Sequence, residues 1–148
     1  MKAQAPRYGF SADIPVAYDQ AVALTREALA ASGFGVITEI DVKATLKKKL
    51  DADFRPYVIL GACNPPIAHQ ALTSELEIGL LLPCNVIVYA GDHADTSVVA
   101  ILDPVAQLGV TGRDDLEPLA LEVRGLLQQA LERVRSTAPT THSHATRN

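Results

Sequence analysis

Two cysteine-asparagine steps are the most chemically suggestive feature of this sequence. Cys63-Asn64 and Cys84-Asn85 each stand at the boundary of an apolar run. Strand boundaries of this kind are where a fold exposes reactive side chains and backbone N–H groups. A thiol at a helix N-terminus is more easily ionised because of the helix dipole, which favours a nucleophilic thiolate. Free cysteine is also among the most buried residue types, so a purely structural role in the core is an equal alternative.

Two further side chains near these steps could take part in chemistry. His69 is the plausible base for a Cys63 nucleophile, and Glu77 is a carboxylate inside an apolar segment. Two thiolates suit Cu(I), and together with an imidazole and a carboxylate they suit Zn(II). No familiar catalytic or metal-binding motif accompanies them, so no metal is assigned, and any cofactor and reaction stay open. The candidate ligand-binding residues are Cys63, Asn64, His69, Glu77, Cys84 and Asn85.

Composition limits the classes of protein to consider. The chain has 148 residues, of which 48% are hydrophobic and 20% charged, which fits one globular domain. Its net charge of -4 argues against a nucleic-acid-binding face, which needs excess positive charge. No segment reaches the roughly 20 apolar residues of a membrane span, and no secretory signal pattern is present. With only two cysteines, we expect reduced thiols and a cytoplasmic location.

The elements that must position these residues follow from periodicity and capping signals. Asn64-Pro65 is a capping residue followed by proline at the first helical position, and Asp41 is a similar cap. Asp13-Ile14-Pro15 is read as the start of the first helix, and Gly91 to Asp95 as the turn of a hairpin. The predicted strands are 8–12, 34–40, 57–62, 85–90 and 96–102, and the predicted helices are 13–32, 41–50, 64–72 and 116–134.

This order predicts a single α+β domain. The hairpin and the long final helix favour a mostly antiparallel sheet with helices packed on one face. Within the hairpin, Val86 and Val88 should lie on a strand paired with the strand of Val99 and Ile101. The domain should occupy residues 1–137. The residues 138–148 lack apolar periodicity and are predicted to be a disordered tail.

The two Cys-Asn segments also carry a family resemblance. Cys63-Asn64-Pro65 with Ala68, then the run Leu81 to Tyr89, and Asp103-Pro104 after the hairpin resemble domain-of-unknown-function family 302. The resemblance extends from about residue 8 to residue 134. It implies a compact α+β fold similar to the TATA-binding-protein-like class, assembled as a homodimer. It implies no activity.

The sequence therefore leaves four functions open. The favoured one is a small-molecule binding or sensing domain with a pocket near the two Cys-Asn segments. The second is a thiol-based redox or soft-metal-binding protein that uses Cys63 and Cys84. The third is an enzyme with Cys63 as nucleophile and His69 as base, and the fourth is a structural or interaction role. The expected partners are a second copy of the chain and a small-molecule ligand, without nucleic acid or membrane.

Overall fold

A five-stranded antiparallel sheet forms the centre of the molecule. The computed structural model describes residues 7–139. The strands run in the spatial order β1-β5-β4-β3-β2, and every neighbouring pair is antiparallel. Their bounds are β1 Gly9–Ile14, β2 Gly35–Asp41, β3 Tyr57–Cys63, β4 Cys84–Ala90 and β5 Ser97–Leu102. The predicted α+β class with a mostly antiparallel sheet is confirmed.

Across the described residues 7–139, five α-helices and two short 3₁₀ helices accompany the strands. The α-helices are α1 Tyr18–Ala31, α2 Val42–Leu50, α3 Pro65–Ser74, α4 Pro104–Gly109 and α5 Glu117–Thr137. The 3₁₀ helices are Leu76–Leu81 and Asp114–Leu116. Asp41 caps α2 as predicted, since its carboxylate accepts a hydrogen bond of 2.9 Å from the backbone N–H of Ala44. Within residues 7–139, no helix is long and apolar enough to cross a membrane.

The main core lies between one face of the sheet and the helices α1 and α5. Strand alternation places Leu60, Val86 and Val99 on this face, where each is fully buried. Leu29 of α1 and Leu127 of α5 pack against them in the same cluster. The predicted pairing of the two hairpin strands is confirmed, and the residues of β4 and β5 that form this face pair directly across the two strands.

The prediction that the first helix starts at Asp13 is wrong. β1 continues through Asp13 to Ile14, and Asp13 pairs with Val98 of β5. Ala12 and Ile14 are both buried, so the period-2 alternation of a strand is what buries these side chains. Helix α1 begins only at Tyr18, and its N-cap residue makes no side-chain hydrogen bond. Burial against the core thus outweighs the local capping signal.

A second, smaller core lies beside the first. Its buried members come from α3, both 3₁₀ helices, α4 and the start of α5. Helix α4 is absent from the sequence prediction, which read Asp103-Pro104 only as the end of the hairpin. Asp103 instead caps α4, with its carboxylate accepting a hydrogen bond of 2.9 Å from the N–H of Val105. The members are Ala71, Ile78, Leu108, Leu116, Leu119 and Ala120.

Strand β2 contains a β-bulge at Ile37. Val36 pairs with Ala62 and Thr38 with Gly61, so one extra residue of β2 lies between two successive positions of β3. A bulge of this kind redirects a side chain without ending the strand. Ile37 is 62% exposed, while the strand on either side of it keeps its antiparallel pairing.

The sheet face opposite the main core is also apolar, but it is only partly covered. Tyr57 and Tyr89 are paired across β3 and β4 and stack with ring centroids 5.4 Å apart. Ile59 and Ile87 are paired next to them and are half-buried, and Ile40 of β2 is 50% exposed. These residues, together with Val98 and Ala100 of β5, are called the open sheet face below.

The first residue after α5 still packs in the main core. Helix α5 ends at Thr137, but Ala138 is buried in the main core and its N–H bonds to the carbonyl of Val134. The part of the predicted tail that the structure describes, Ala138 and Pro139, therefore contains one packed residue. The rest of that prediction, for residues 140–148, lies outside the described residues.

Candidate functional site

The first Cys-Asn step lies where β3 ends and α3 begins. Cys63 is the last residue of β3 and is half-buried. Asn64 is the N-cap of α3, and its Oδ1 accepts a hydrogen bond of 3.2 Å from the N–H of Ile67. Pro65 follows at the first helical position, where its missing N–H would have had no helical partner. The predicted cap and helix start are confirmed.

The second step starts β4 beside the first. Cys84 pairs with Ala62 in the antiparallel ladder, so the two cysteines are one position apart on adjacent strands. Cys84 is 8% exposed and belongs to the main core. Burial, with a smaller contribution from the neighbouring Cys63, raises the pKa of its thiol to about 11. Cys84 is thus a neutral thiol at physiological pH.

A cavity of about 310 Å³ opens beside both cysteines. It lies between the main and the smaller core, since Phe34 and Val123 of the first and Leu108 and Leu119 of the second face it. Cys63, Asn64 and Cys84 all line it, together with parts of β2, α3, α4 and α5. The remaining lining residues are Ile37, Ala62, Ile67, Ala68, Ala71, Leu72, Gly79, Leu82, Pro83, Pro104 and Gln107.

The other three candidate residues lie outside this cavity. His69 is exposed on α3, because the inward-facing positions of that helix are Ile67 and Ala71. Glu77 is exposed on the first 3₁₀ helix. Asn85 pairs with Gly61 and is exposed, since alternation along β4 turns it away from the buried Cys84.

Gln107 of α4 is a site residue that the sequence prediction missed. Its side chain is 8% exposed and lines the cavity. Its amide Nε2 donates a hydrogen bond to the carbonyl of Leu81, and its Oε1 accepts one of 3.5 Å from Cys84 Sγ. The Asp103-Pro104 step is the same capping signal as Asn64-Pro65 and would have predicted α4. Gln107 lies in the first two turns of that helix, and this position is the signal in the sequence that points to it.

Outside the cavity, an ion-pair cluster links two of the segments that form the smaller core. Arg113 donates hydrogen bonds to Glu75 at 2.8 Å, to Ser74 at 2.7 Å and to Asp115 at 2.6 Å. These bonds join the C-terminal end of α3 to the segment before α5. The guanidinium lowers the pKa of Asp115 through its hydrogen bond. Because Asp115 is exposed and Arg113 and Glu75 are only half-buried, their effect on stability is modest.

Within residues 7–139, no group of three or more histidine, cysteine, aspartate or glutamate side chains is close enough to hold a metal ion. The site is an apolar space lined by two thiols and two side-chain amides. The amide of Asn64 lies at its edge, and the amide of Gln107 is buried and already hydrogen-bonded.

Comparison with known proteins places this architecture. The sequence model of the family described as "Domain of unknown function DUF302" matches residues 10–134, which is most of the chain. The chain belongs to the DUF302 family. A similar solved structure is the crystal structure of the uncharacterized conserved protein DUF302 from Bacillus stearothermophilus, which is 28% identical. The match covers 88% of this chain and all of that one, with a TM-score of 0.80.

Membership of the DUF302 family confirms the resemblance found in the sequence. The match includes both Cys-Asn steps, Gln107 and every element that lines the cavity. No curated protein matches the chain. Neither the family description nor that of the solved structure names an activity, so the function has to be argued from the site itself.

Proposed function

We propose that this protein binds a small molecule in the cavity between its two cores. The observation that carries the proposal is the cavity itself, because well-packed interiors leave few voids larger than a water molecule. A volume of about 310 Å³ lies at the lower end of the range of small-molecule sites. Apolar walls with a few polar groups are also typical of such sites.

Cys63, Asn64 and Cys84 support this assignment by forming one side of the cavity. Asn64 holds the start of α3 in place, and Cys84 is fixed by its bond to Gln107. Both polar contacts stabilise the walls and leave the space between them unfilled. A binding site built on strand ends and a capped helix is largely pre-formed, which reduces the entropy lost on binding.

The thiol-based alternative has less support. A cysteine that reacts or binds a metal needs an accessible thiolate, whereas burial keeps the Cys84 thiol protonated at neutral pH. The enzyme alternative needs a base beside Cys63, and His69 points away from the cavity. Both thiols are free, which favours the reducing cytoplasm as the place where the protein works.

Filling the cavity is expected to remove ligand binding. Ala68 lines the cavity on α3 and is half-buried, so phenylalanine at this position would extend into the space. Native mass spectrometry of protein purified from its own host should show a bound small molecule. Ala68→Phe should lower the occupied fraction at least about tenfold.

The matched control is Ala23→Phe, which adds the same ring at an exposed position of α1 and should leave occupancy unchanged. The proposal fails if the wild-type protein carries no bound molecule and its melting temperature does not respond to small apolar probes. A ligand at 100 times its Kd raises stability by about 2.7 kcal/mol, or roughly 8 °C in Tm for a chain of this size.

We also propose that the protein is a homodimer that pairs through the open sheet face. Strand dimensions give this face a projected area of roughly 500 Å² per copy. Stable interfaces of standard size remove about 800 Å² of accessible surface per partner, and side-chain relief makes accessible area larger than projected area. The centre of the face, at Ile59 and Ile87, is aliphatic, as the cores of homodimer interfaces are.

A charge in the middle of this face should separate the two copies. Light scattering at micromolar concentration should give twice the 15.8 kDa of one chain for the wild type. Ile87→Glu should give a monomer, because the carboxylate would be buried without a partner. Leu121→Glu, at a half-exposed position of α5, should remain a dimer. A monomeric wild type contradicts dimerisation, and a dimeric Ile87→Glu variant contradicts this interface.

A further inference from the structure

The walls of the cavity contain no charge. Among the described residues that line it there is no aspartate, glutamate, lysine, arginine or histidine. An ionised ligand buried there would lose its hydration without gaining a counter-ion. The ion pair nearest in sequence, Asp103–Arg124, flanks the lining residues Pro104 and Val123 but does not line the cavity, and its two charges face each other at 3.7 Å.

Most of the polar groups in the wall are already engaged. Both ends of the Gln107 amide are hydrogen-bonded, to the Leu81 carbonyl and to the Cys84 thiol. The Asn64 Oδ1 is held by the N–H of Ile67. That bond also fixes the orientation of the Asn64 amide, so the identity of its other atom follows: it is the Nδ2 donor group.

The Asn64 Nδ2 is therefore the strongest donor that remains, since the Cys63 thiol, which also lines the cavity, is only a weak one. Within residues 7–139 it has no hydrogen-bond partner. It lies on the side of Gly33, where an added Cβ would be 3.2 Å from it, next to the lining residue Phe34. A ligand with one neutral acceptor oxygen at this end would satisfy it, while the rest of the ligand contacts only carbon and sulfur.

Size sets a further limit. If each non-hydrogen atom takes about 30 Å³, the liquid volume of one water molecule, the cavity holds about ten such atoms. Ile37 of β2 lines the cavity and is 62% exposed, so the mouth of the cavity lies beside β2.

We propose that the ligand is an uncharged, mainly apolar molecule of about ten non-hydrogen atoms, with one hydroxyl or carbonyl oxygen that accepts a hydrogen bond from Asn64 Nδ2. This inference rests on the proposed binding function and specifies its ligand class. It excludes carboxylates, phosphates and amines of the same length, because the cavity wall offers no opposite charge.

Two probes of the same chain length, one neutral and one anionic, test it. Calorimetric titration of the purified protein with 1-octanol and with octanoate, at neutral pH, should show that the alcohol binds at least about 30-fold more tightly. Ala68→Phe should abolish the heat of 1-octanol binding, and Ala23→Phe should not, which assigns the binding to the cavity.

The role of Asn64 is tested by Asn64→Asp. Aspartate keeps an oxygen that can cap α3, so the melting temperature should stay within a few degrees of the wild type, but it removes the amide donor. The affinity for 2-octanone, whose carbonyl oxygen can only accept a hydrogen bond, should fall about fivefold, the effect of one hydrogen bond. Unchanged affinity would overturn the assigned contact.

A cation at the mouth should reverse the selectivity. Ile37→Lys places an ammonium group at a lining position, so the affinity for octanoate should rise at least about fivefold. Leu121→Lys adds the same charge at an exposed position of α5 that neither lines the cavity nor lies on the open sheet face, and should have no such effect. Selectivity that is unaffected by Ile37→Lys would show that charge is not what decides it.

The outcomes separate the two proposals. If octanoate binds the cavity as well as 1-octanol, or if host-purified protein carries an ionised ligand lost in Ala68→Phe, the ligand class is wrong and the binding function stands. If neither probe binds and no molecule co-purifies, both are wrong.

Discussion

Gly61→Ala is expected to lower the free energy of unfolding by about 3 kcal/mol and Tm by about 9 °C. Gly61 is buried in the middle of the sheet, paired with Thr38 of β2 and Asn85 of β4. A Cβ at this position would lie 2.7 Å from Cγ of Pro83 and would also overlap the side chain of Thr38. The proline ring cannot rotate away, so the strand or the cavity wall has to move.

Gly35→Ala is the matched control for this substitution. Gly35 is also a strand glycine, at the start of β2, but an added Cβ would meet no atom within 4 Å. Its replacement should change stability by no more than about 0.5 kcal/mol. Thermal melts followed by circular dichroism compare the two variants directly. Equal Tm values for Gly61→Ala and Gly35→Ala would contradict the close packing described for Pro83.

Stability is expected to fall by about 2 kcal/mol between about pH 9 and pH 11 because of Cys84 alone, and by about 3 kcal/mol in total above both pKa values. The folded state raises the pKa of this thiol from an ordinary value of 9.0 to about 11, mainly through burial. In this interval the unfolded chain has lost the proton that the folded chain still holds. The contribution is therefore complete below the unfolded pKa and is lost as the pH rises through the folded one.

The measurement is a set of urea titrations of wild type and Cys84→Ala at several pH values. Other groups also titrate in this range, so the difference between the two proteins isolates the thiol. A difference that does not change between pH 8 and pH 11 would contradict the buried, neutral state of Cys84. A second readout is thiol labelling at pH 8 in a Cys63→Ser background, which should be at least about 100-fold slower in the native protein than in urea.

Local rules predicted the parts of the site that local interactions determine. Asn64-Pro65 and Asp41 start helices in the structure because a side-chain oxygen and a helical N–H a few residues apart are sufficient for a cap. The β4–β5 hairpin was predicted for the same reason, since its turn and its alternating residues are adjacent in sequence.

Long-range packing determines the features that the sequence did not predict, namely the extent of β1 and the walls of the cavity. Asp13 has the character of a helix cap, but pairing with Val98, 85 positions away, keeps it in β1. The cavity is made by residues from β2 to α5, and no periodicity within one element reveals a space between elements. His69 shows the converse case: the apolar positions of α3 at Ile67 and Ala71 already indicated that it faces outward.

The bulge at Ile37 leaves one position of β2 without a pairing partner in the sheet. Since Ile37 is the extra residue between two paired positions of β2, its side chain contributes to the cavity mouth without a cross-strand neighbour of its own. Substitutions there are not constrained by sheet pairing, whereas Gly61 across the ladder is constrained on both sides. If the cavity binds a small molecule as proposed, a substitution at position 37 can alter ligand preference while the pairing of the sheet stays intact.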